Sequence, residues 1–347
     1  MERLHISFFG ATNSGKSTLV NALAGQEVSL VSAVPGTTTD PVRKAIEIPG
    51  LGPCVLIDTA GLDDDGVLGA ERMRLTRNVI DETDVAVVLP PVHLLDLKEQ
   101  GIPIVEYTRG ESIESLIQRI AAVAPKREEH FLTGSLVKAG DLVILVMPQD
   151  SEAPKGRLIL PQVQVIRELL DRGCVPVCCT PASLSEAIRN VTPALVITDS
   201  QVFKTVNEAI PREWPLTSFS VLLAAAKGDM RVFLEGARAI DTLQPGSRVL
   251  IAEACTHVPD TEDIGRVKIP ALLRMRIGEL HVDIAAGNDF PEDLTPYSLI
   301  IHCGACVATS TLVRSRTRKA QLAGVPITNY GLAIAHLQGI LPRIVLP

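Results

Sequence analysis

Aromatic residues are nearly absent from this sequence: Phe, Tyr and Trp make up 3% of 347 residues, with a single tryptophan. Any core must be filled by Leu, Ile, Val and Ala, within a hydrophobic content of 46%. No uninterrupted apolar run is long enough to span a bilayer, so no membrane partner is expected. No block of Lys and Arg stands out either. The balance is acidic, with a net charge of −7 and a pI near 5.6. That removes the usual electrostatic basis for binding nucleic acid, and none is expected as a partner. The opening MERLHISFFG lacks the long apolar core of a secretory signal and runs directly into a motif, so a cytoplasmic location is expected. Seven cysteines in a reducing compartment argue against a disulfide framework. They favour metal or redox chemistry, or simple burial.

What is present is alternation. The length suits two or three domains. LHISFFG reads as a buried strand, ATNSGKS as a turn, and TLVNALAG as a helix closed by Gly25. CVLIDTAG is a second strand, Leu68–Thr83 has helical spacing, and DVAVVL is a third strand. APKREEHF (Ala124–Phe131) marks a boundary. Then DLVILVMP, VPVCCT and ALVITD alternate with the helices Leu160–Arg172, SLSEAIRN and Gln201–Ala209, which means βαβ units and a parallel sheet. The Pro-rich PREWPLTSF reads as a second linker, followed by a helix over Val221–Leu243 and a last α/β stretch containing RVLIAEA, PALLRMRIGEL, YSLIIHC and VPITNY. The expected fold class is α/β, in three consecutive α/β units over 1–126, 127–218 and 219–347.

Gly10-Ala11-Thr12-Asn13-Ser14-Gly15-Lys16-Ser17 fits G-x-x-x-x-G-K-[ST] between a strand and a helix. The glycines let backbone N–H groups close around phosphate, and the helix N-terminus adds positive potential. Lys16 would reach the β- and γ-phosphates, and the Ser17 hydroxyl would ligate Mg²⁺. Gly10, Asn13, Ser14, Gly15, Lys16, Ser17 and Thr18 are the expected cradle. Asp58-Thr59-Ala60-Gly61 follows an apolar strand, so Asp58 can bind Mg²⁺ through water while the Gly61 N–H meets the γ-phosphate. Pro35-Gly36-Thr37-Thr38-Thr39-Asp40 lies between them and offers a hydroxyl to both, Thr38 being the choice among three threonines. The expected catalytic set is Lys16, Thr38, Asp58 and Gly61. Loops of this kind report nucleotide state by order and disorder.

Near the other end, Cys255-Thr256-His257 and His302-Cys303-Gly304-Ala305-Cys306 form C-x-H-x44-H-C-x-x-C, the 44 counted from Val258 to Ile301. Three soft thiolates, two at C-x-x-C spacing, can grip one metal centre. Spacing alone leaves three readings: structural zinc with two or three cysteines and histidine, an iron–sulfur cluster, or buried cysteines without a metal. A four-iron cluster on three cysteines leaves one iron for His257, His302, Glu262 or an exchangeable ligand. For the histidines a supporting or core role is favoured over direct ligation. Cys54, Cys174, Cys178 and Cys179 sit in or beside apolar strands and read as buried small hydrophobes.

Residues 5–89 resemble the translation-factor-related GTPases that include tRNA-modifying and ribosome-assembly members (the TrmE/Era type). Those carry G-x-x-N-x-G-K-S, G-T-T-x-D and D-T-A-G-[LI], as here. The resemblance implies GTP with Mg²⁺, slow intrinsic hydrolysis with Leu62 where related proteins have a catalytic glutamine, and K⁺ activation with Asn13 at the potassium-contacting position. One departure is the guanine-reading Asn-Lys-x-Asp motif, which is missing. The N-x-x-D at Asn78–Asp81 falls on the helix before the third strand, and Pro90–His93 stands roughly where the motif belongs. The chain then runs into IVEYTRGESIESL, similar to the usual final strand and loop, as though a helix and a strand were lost.

The combination of such a GTPase module, a middle βαβ domain and C-x-H…H-C-x-x-C resembles the [FeFe]-hydrogenase maturation GTPases, the HydF family, over essentially the whole chain. The resemblance rests on the phosphate loop, on ACTH with DIGRVKIP downstream, and on HCGAC. It implies a [4Fe-4S] cluster on Cys255, Cys303 and Cys306, with Glu262 a candidate fourth ligand, and a middle dimerisation domain giving a homodimer. It further implies a diiron precursor received from radical-SAM maturases and passed to the [FeFe]-hydrogenase. Two other readings stand beside it. One is an RNA-modification or ribosome-assembly GTPase with a zinc-stabilised C-terminal domain. The other is a degenerate relative that binds a cluster but no longer switches.

Overall fold

The computed structural model describes residues 3–25, 41–61, 69–90, 101–125, 131–149, 156–254, 263–287 and 289–347. The chain forms two compact units, Met1–Glu128 and Glu129–Pro347.

In the first unit the apolar runs become a sheet covered on both faces. The strands are β1 (Leu4–Gly10), β2 (Val42–Ile48), β3 (Gly52–Asp58), β4 (Val85–Leu89) and β5 (Ile104–Glu106), in the order β2-β3-β1-β4-β5. Only β2 runs antiparallel to its neighbour. Central β1 alternates between two cores. Ile6 and Phe8 meet Leu19, Val20, Leu116 and Ile120 from helices α1 (Lys16–Ala24) and α3 (Ile113–Val123). Phe9 meets Val79 and Ile80 of α2 (Gly69–Glu82) on the other face. Leu116 and Ile120 lie one helical turn apart on the same stripe, and Ser112 caps α3 by accepting from the Ser115 N–H. Strand β5 pairs directly with β4, with no strand between them, as the shortened sequence implies. Asn78 and Asp81 lie on α2, the helix before β4.

The second unit holds two parallel four-stranded sheets. The first contains β6 (Leu142–Val146), β7 (Val175–Cys179), β8 (Leu195–Thr198) and β9 (Leu216–Ser218). The second contains β10 (Arg248–Glu253), β11 (His281–Ala286), β12 (Leu299–His302) and β13 (Ile327–Asn329). Their orders are β7-β6-β8-β9 and β11-β10-β12-β13. In each sheet the first two strands are swapped in space and the third and fourth follow outward. The helices are α4 (Leu160–Asp171), α5 (Leu184–Ala187), α6 (Phe203–Ala209), α7 (Phe219–Lys227), α8 (Met230–Arg238), α9 (Ile269–Ile277), α10 (Ser310–Leu322) and α11 (Tyr330–Leu337). Ile144 and Val196 of one sheet share a core with Val249 and Ile300 of the other. Ile344 bridges back to Leu216, so the C-terminal tail closes on β9.

The two halves repeat one plan. Leu216-Thr217-Ser218-Phe219 and Ile327-Thr328-Asn329-Tyr330 each end a sheet and start a helix. Ser218 and Asn329 each cap that helix from the same position, accepting from the N–H three residues on. At the next equivalent step Ser220 meets Gly331, where a Cβ would lie 3.0 Å from the Ser220 Cβ. Like positions in contact mark a local two-fold relation between α7 and α11.

Several sequence expectations need correction. PREWPLTSF is no linker, because Leu216–Ser218 is β9. The helix expected over Val221–Leu243 breaks at Gly228–Asp229, where the Asp229 side chain caps α8 by accepting from the Arg231 N–H. Strands β2 and β11 were not anticipated. Cys178 is exposed and Cys179 half-buried, because β7 is a sheet edge, whereas Cys54 and Cys174 are buried as expected.

Candidate functional site

The loop after β1 is built for an anion. Gly10 has no room for a side chain, since a Cβ there would lie 2.6 Å from Ser14 Oγ and 3.1 Å from the Leu89 Cβ. Asn13 and Gly15 adopt left-handed backbone (φ 59° and 97°), which turns successive N–H groups into a concavity. Helix α1 then starts with no side-chain cap, leaving its first amides for a ligand. Ser14 Oγ is buried with no hydrogen-bond partner among the described residues. Buried Lys16 folds over the loop, its Nζ donating to the carbonyls of Gly10 (3.0 Å) and Ala11 (2.7 Å). Ser17 Oγ donates to Asp58 Oδ2 at 2.6 Å, so a hydroxyl and a fully buried carboxylate already share one point suited to Mg²⁺. Thr59 ties β3 to β1 by donating to the Phe8 carbonyl at 2.7 Å. Gly61 abuts the loop, a Cβ there falling 2.1 Å from Thr12 Oγ1. Thr18 and Asn13 are exposed. Thr38 and Leu62 lie outside the described residues.

The second site lies where β10 and β12 end side by side, Ala252 opposite His302. The chain leaves these strands in opposite directions, β10 towards β11 and β12 towards β13. Such a switch point is where open α/β sheets hold ligands. Cys303 continues the ladder, its N–H donating to the Ala252 carbonyl at 2.9 Å. Its Sγ accepts from the Ala254 N–H (3.1 Å) and the Ala305 N–H (3.4 Å). Burial pushes the Cys306 thiol up, neighbouring Cys303 adds to that, and the Lys227 charge partly offsets both. Cys303 and Cys306 share this loop. Cys255 follows Ala254 in sequence but, like His257 and Glu262, lies outside the described residues. Among the described residues no group of three His, Cys, Asp or Glu converges on a metal position.

His302, expected among the candidate ligands, is buried and committed to the protein. Its Nδ1 lies 2.8 Å from the Cys303 carbonyl, which can only accept, so Nδ1 carries the proton. Its Nε2 then accepts from Arg316 Nη1 at 3.2 Å. Neither nitrogen is left for a metal in this arrangement. Buried Arg316 also donates to the carbonyls of Glu253 (3.3 Å) and Gly287, and its guanidinium stacks 4.9 Å from the Phe290 ring. Glu253 at the end of β10 is gripped by Arg266 through both oxygens (3.1 and 2.7 Å). This loop fits an iron–sulfur centre on its chemistry: soft thiols at C-x-x-C spacing, small Gly304 and Ala305 between them, backbone N–H donors on sulfur, and Lys227 and Arg316 to compensate negative charge. Sequence reading missed Lys227, Arg316 and the Glu253–Arg266 pair, because each acts on partners distant in the chain.

The first unit, with its Gly-rich turn, uncapped helix and Ser17–Asp58 pair, defines a P-loop GTPase domain. Residues 5–124 match the family model of the 50S ribosome-binding GTPase. A tRNA modification GTPase MnmE from Methylobacterium sp. (strain 4-46) is 34% identical over 41% of this chain and 36% of its own length. The MnmE of Nitrosospira multiformis is 45% identical over 25% of this chain and 20% of its own. The chain thus spans about a third or less of the curated relatives it matches. Residues 132–228 match the hydrogen maturase F dimerization domain and 231–347 the hydrogen maturase F tetramerization domain, together well over half of the chain. The chain belongs to the hydrogen maturase F family, with a GTPase domain ahead of two oligomerization domains. Among solved structures, Aquifex aeolicus Era bound to GDP and AlF4⁻ overlaps 84% of this chain and 97% of its own at 16% identity and a TM-score of 0.28. Arabidopsis thaliana Toc33 in complex with GDP and Mg²⁺ overlaps 52% and 71% at 17% identity and a TM-score of 0.22. Scores this low carry no weight for the fold. Among the described residues no helix is long and apolar enough to cross a membrane.

Proposed function

We propose that this maturase is a nucleotide-controlled carrier in [FeFe]-hydrogenase cofactor assembly. Cys255, Cys303 and Cys306 hold a [4Fe-4S] cluster, with Glu262 the candidate for the remaining iron and His257 and His302 in support. A diiron precursor is the cargo, received from radical-SAM maturases and delivered to the hydrogenase. When bound, the cluster would supply one iron not held by cysteine, where cargo could exchange with a weaker ligand such as Glu262. The observation that carries this reading is the Cys303–Cys306 loop at the switch point of β10 and β12, with two backbone N–H groups on the Cys303 sulfur.

The GTPase domain acts as the switch rather than as a product-forming enzyme. Lys16 meets the β- and γ-phosphates, Ser17 and Asp58 hold Mg²⁺, Thr38 and Gly61 sense the γ-phosphate, and Gly10, Ser14, Gly15 and Thr18 complete the cradle. Asn13 contacts an activating K⁺, and hydrolysis is slow. The working division is 1–126 for nucleotide, 127–218 for dimerisation and 219–347 for the cluster, in a cytoplasmic homodimer.

The test is a pair of substitutions in the full chain, purified anaerobically. Lys16→Ala should abolish nucleotide hydrolysis and leave iron content at the wild-type level. Cys303→Ala should do the reverse. If each change removes both properties, the reading of two separate modules is wrong.

A further inference from the structure

Two non-glycine residues among those described hold a left-handed backbone, Asn13 in the phosphate loop and Ala305 in the cysteine loop (φ 50°). A side chain in that region is strained, and such strain persists only where surroundings over-determine it. Ala305 is held from one direction. Lys227, the last residue of α7, sends its Nζ to the carbonyls of Ala305 (2.6 Å), Cys306 (3.4 Å) and Ala308 (2.7 Å). A single ammonium thus gathers the carbonyls of the loop, and the Ala305 N–H turns the other way, onto Cys303 Sγ.

The repeated plan of the second unit provides an internal comparison. In the other half Gln338, at the end of α11, stands where Lys227 stands at the end of α7. The counterpart of β12 is β8, which ends at Thr198 and is followed by Asp199, with no cysteine loop. Lys227 reaches from the half of the first sheet to the cysteine loop of the second, and at the counterpart pairing, Gln338 with the end of β8, both the cation and the cysteines are missing.

We propose that Lys227 is the positioning residue of the cysteine loop, setting its backbone and contributing the positive charge beside the cluster. This rests on the carrier reading above for its charge effect, while the backbone effect belongs to the metal-free protein as well. Lys227 does not touch iron; it acts through the carbonyls of Ala305, Cys306 and Ala308.

The experiment compares wild type, Lys227→Met and Lys227→Arg in the full chain. In metal-free protein, loss of charge-assisted hydrogen bonds should speed amide hydrogen exchange in residues 303–308 by about ten-fold or more in Lys227→Met, with Lys227→Arg close to wild type. In anaerobically reconstituted protein, Lys227→Met should move the cluster's reduction potential to more negative values, because a cation that favours the added electron is gone. It should also release iron to a chelator faster, and Lys227→Arg should restore the potential. Exchange rates in Lys227→Met equal to wild type would overturn the proposal. So would an unchanged potential in a protein whose wild type carries the cluster. If the wild type binds no iron, the carrier reading falls, and the exchange measurement alone decides the role of Lys227.

Discussion

Replacing Gly61 with alanine tests the contact that ties the Asp58 strand to the phosphate loop. The added Cβ would lie 2.1 Å from Thr12 Oγ1, 2.7 Å from the Thr12 nitrogen and 2.9 Å from its Cα. Carbon atoms prefer separations of about 3.5 Å or more, so the main chains must part by roughly 0.5–1 Å. The side-chain clash can be relieved by rotating Thr12, but the clash with its backbone cannot. The Thr12 backbone belongs to the loop that would cradle phosphate, whereas Asp58, three residues before Gly61, pairs with Ser17 at 2.6 Å. A displacement of this size between reacting groups costs about 10²-fold in turnover. Overpacking costs roughly 1–3 kcal/mol, so the protein stays folded. The assay is phosphate release from GTP with Mg²⁺ and K⁺, with thermal unfolding as the control. The double variant Gly61→Ala, Thr12→Ala should be no better, since the nitrogen and Cα of residue 12 remain. Turnover close to wild type in the single variant, or its recovery in the double, would refute the argument.

Other perturbations follow from the same contacts. Arg266→Met strands the Glu253 carboxylate, whose side chain is only 2% exposed, and should destabilise the second unit by about 3–5 kcal/mol in guanidinium unfolding. A loss under about 1 kcal/mol would mean the pair is dispensable. In the first unit, burial alone would raise the Glu82 carboxyl, but neighbouring His5 and the Arg43 charge outweigh it, holding its pKa below the ordinary 4.5. A depressed carboxylate stabilises above its unfolded pKa and loses that contribution as pH falls through the folded one. Arg43→Met should therefore cost about 0.5–1 kcal/mol at pH 7, measured by urea unfolding, and the gap to wild type should close as pH drops below 4.5. A gap independent of pH would exclude this assignment. Burial, with help from Cys178, pushes the Cys179 thiol up to about 11, so iodoacetamide at pH 8 should leave Cys179 largely unmodified by mass spectrometry.

The phosphate loop was legible because everything it needs is contiguous: eight residues between an apolar strand and a helix carry the whole signal. Cys303 and Cys306 were legible for the same reason. Lys227 was not, since its partners lie 78 to 81 residues away and its own surroundings read as an ordinary helix end. Edge strands were lost for a different reason. Half-exposed β2, with Arg43, Lys44 and Glu47 among its residues, has too little apolar character to stand out from a loop. The break at Gly228–Asp229 was visible as a glycine followed by a capping residue, but the continuous apolar pattern on either side masked it. Exposure of Cys178 depends on which strand ends a sheet, and that is a property of topology.

Whether the cysteines near the C-terminus close on iron decides the account. Iron and acid-labile sulfide should be quantified on the full chain purified without oxygen. The account predicts about four of each per chain, lost together in Cys303→Ala. Zinc in their place, or neither metal nor sulfide, would contradict it.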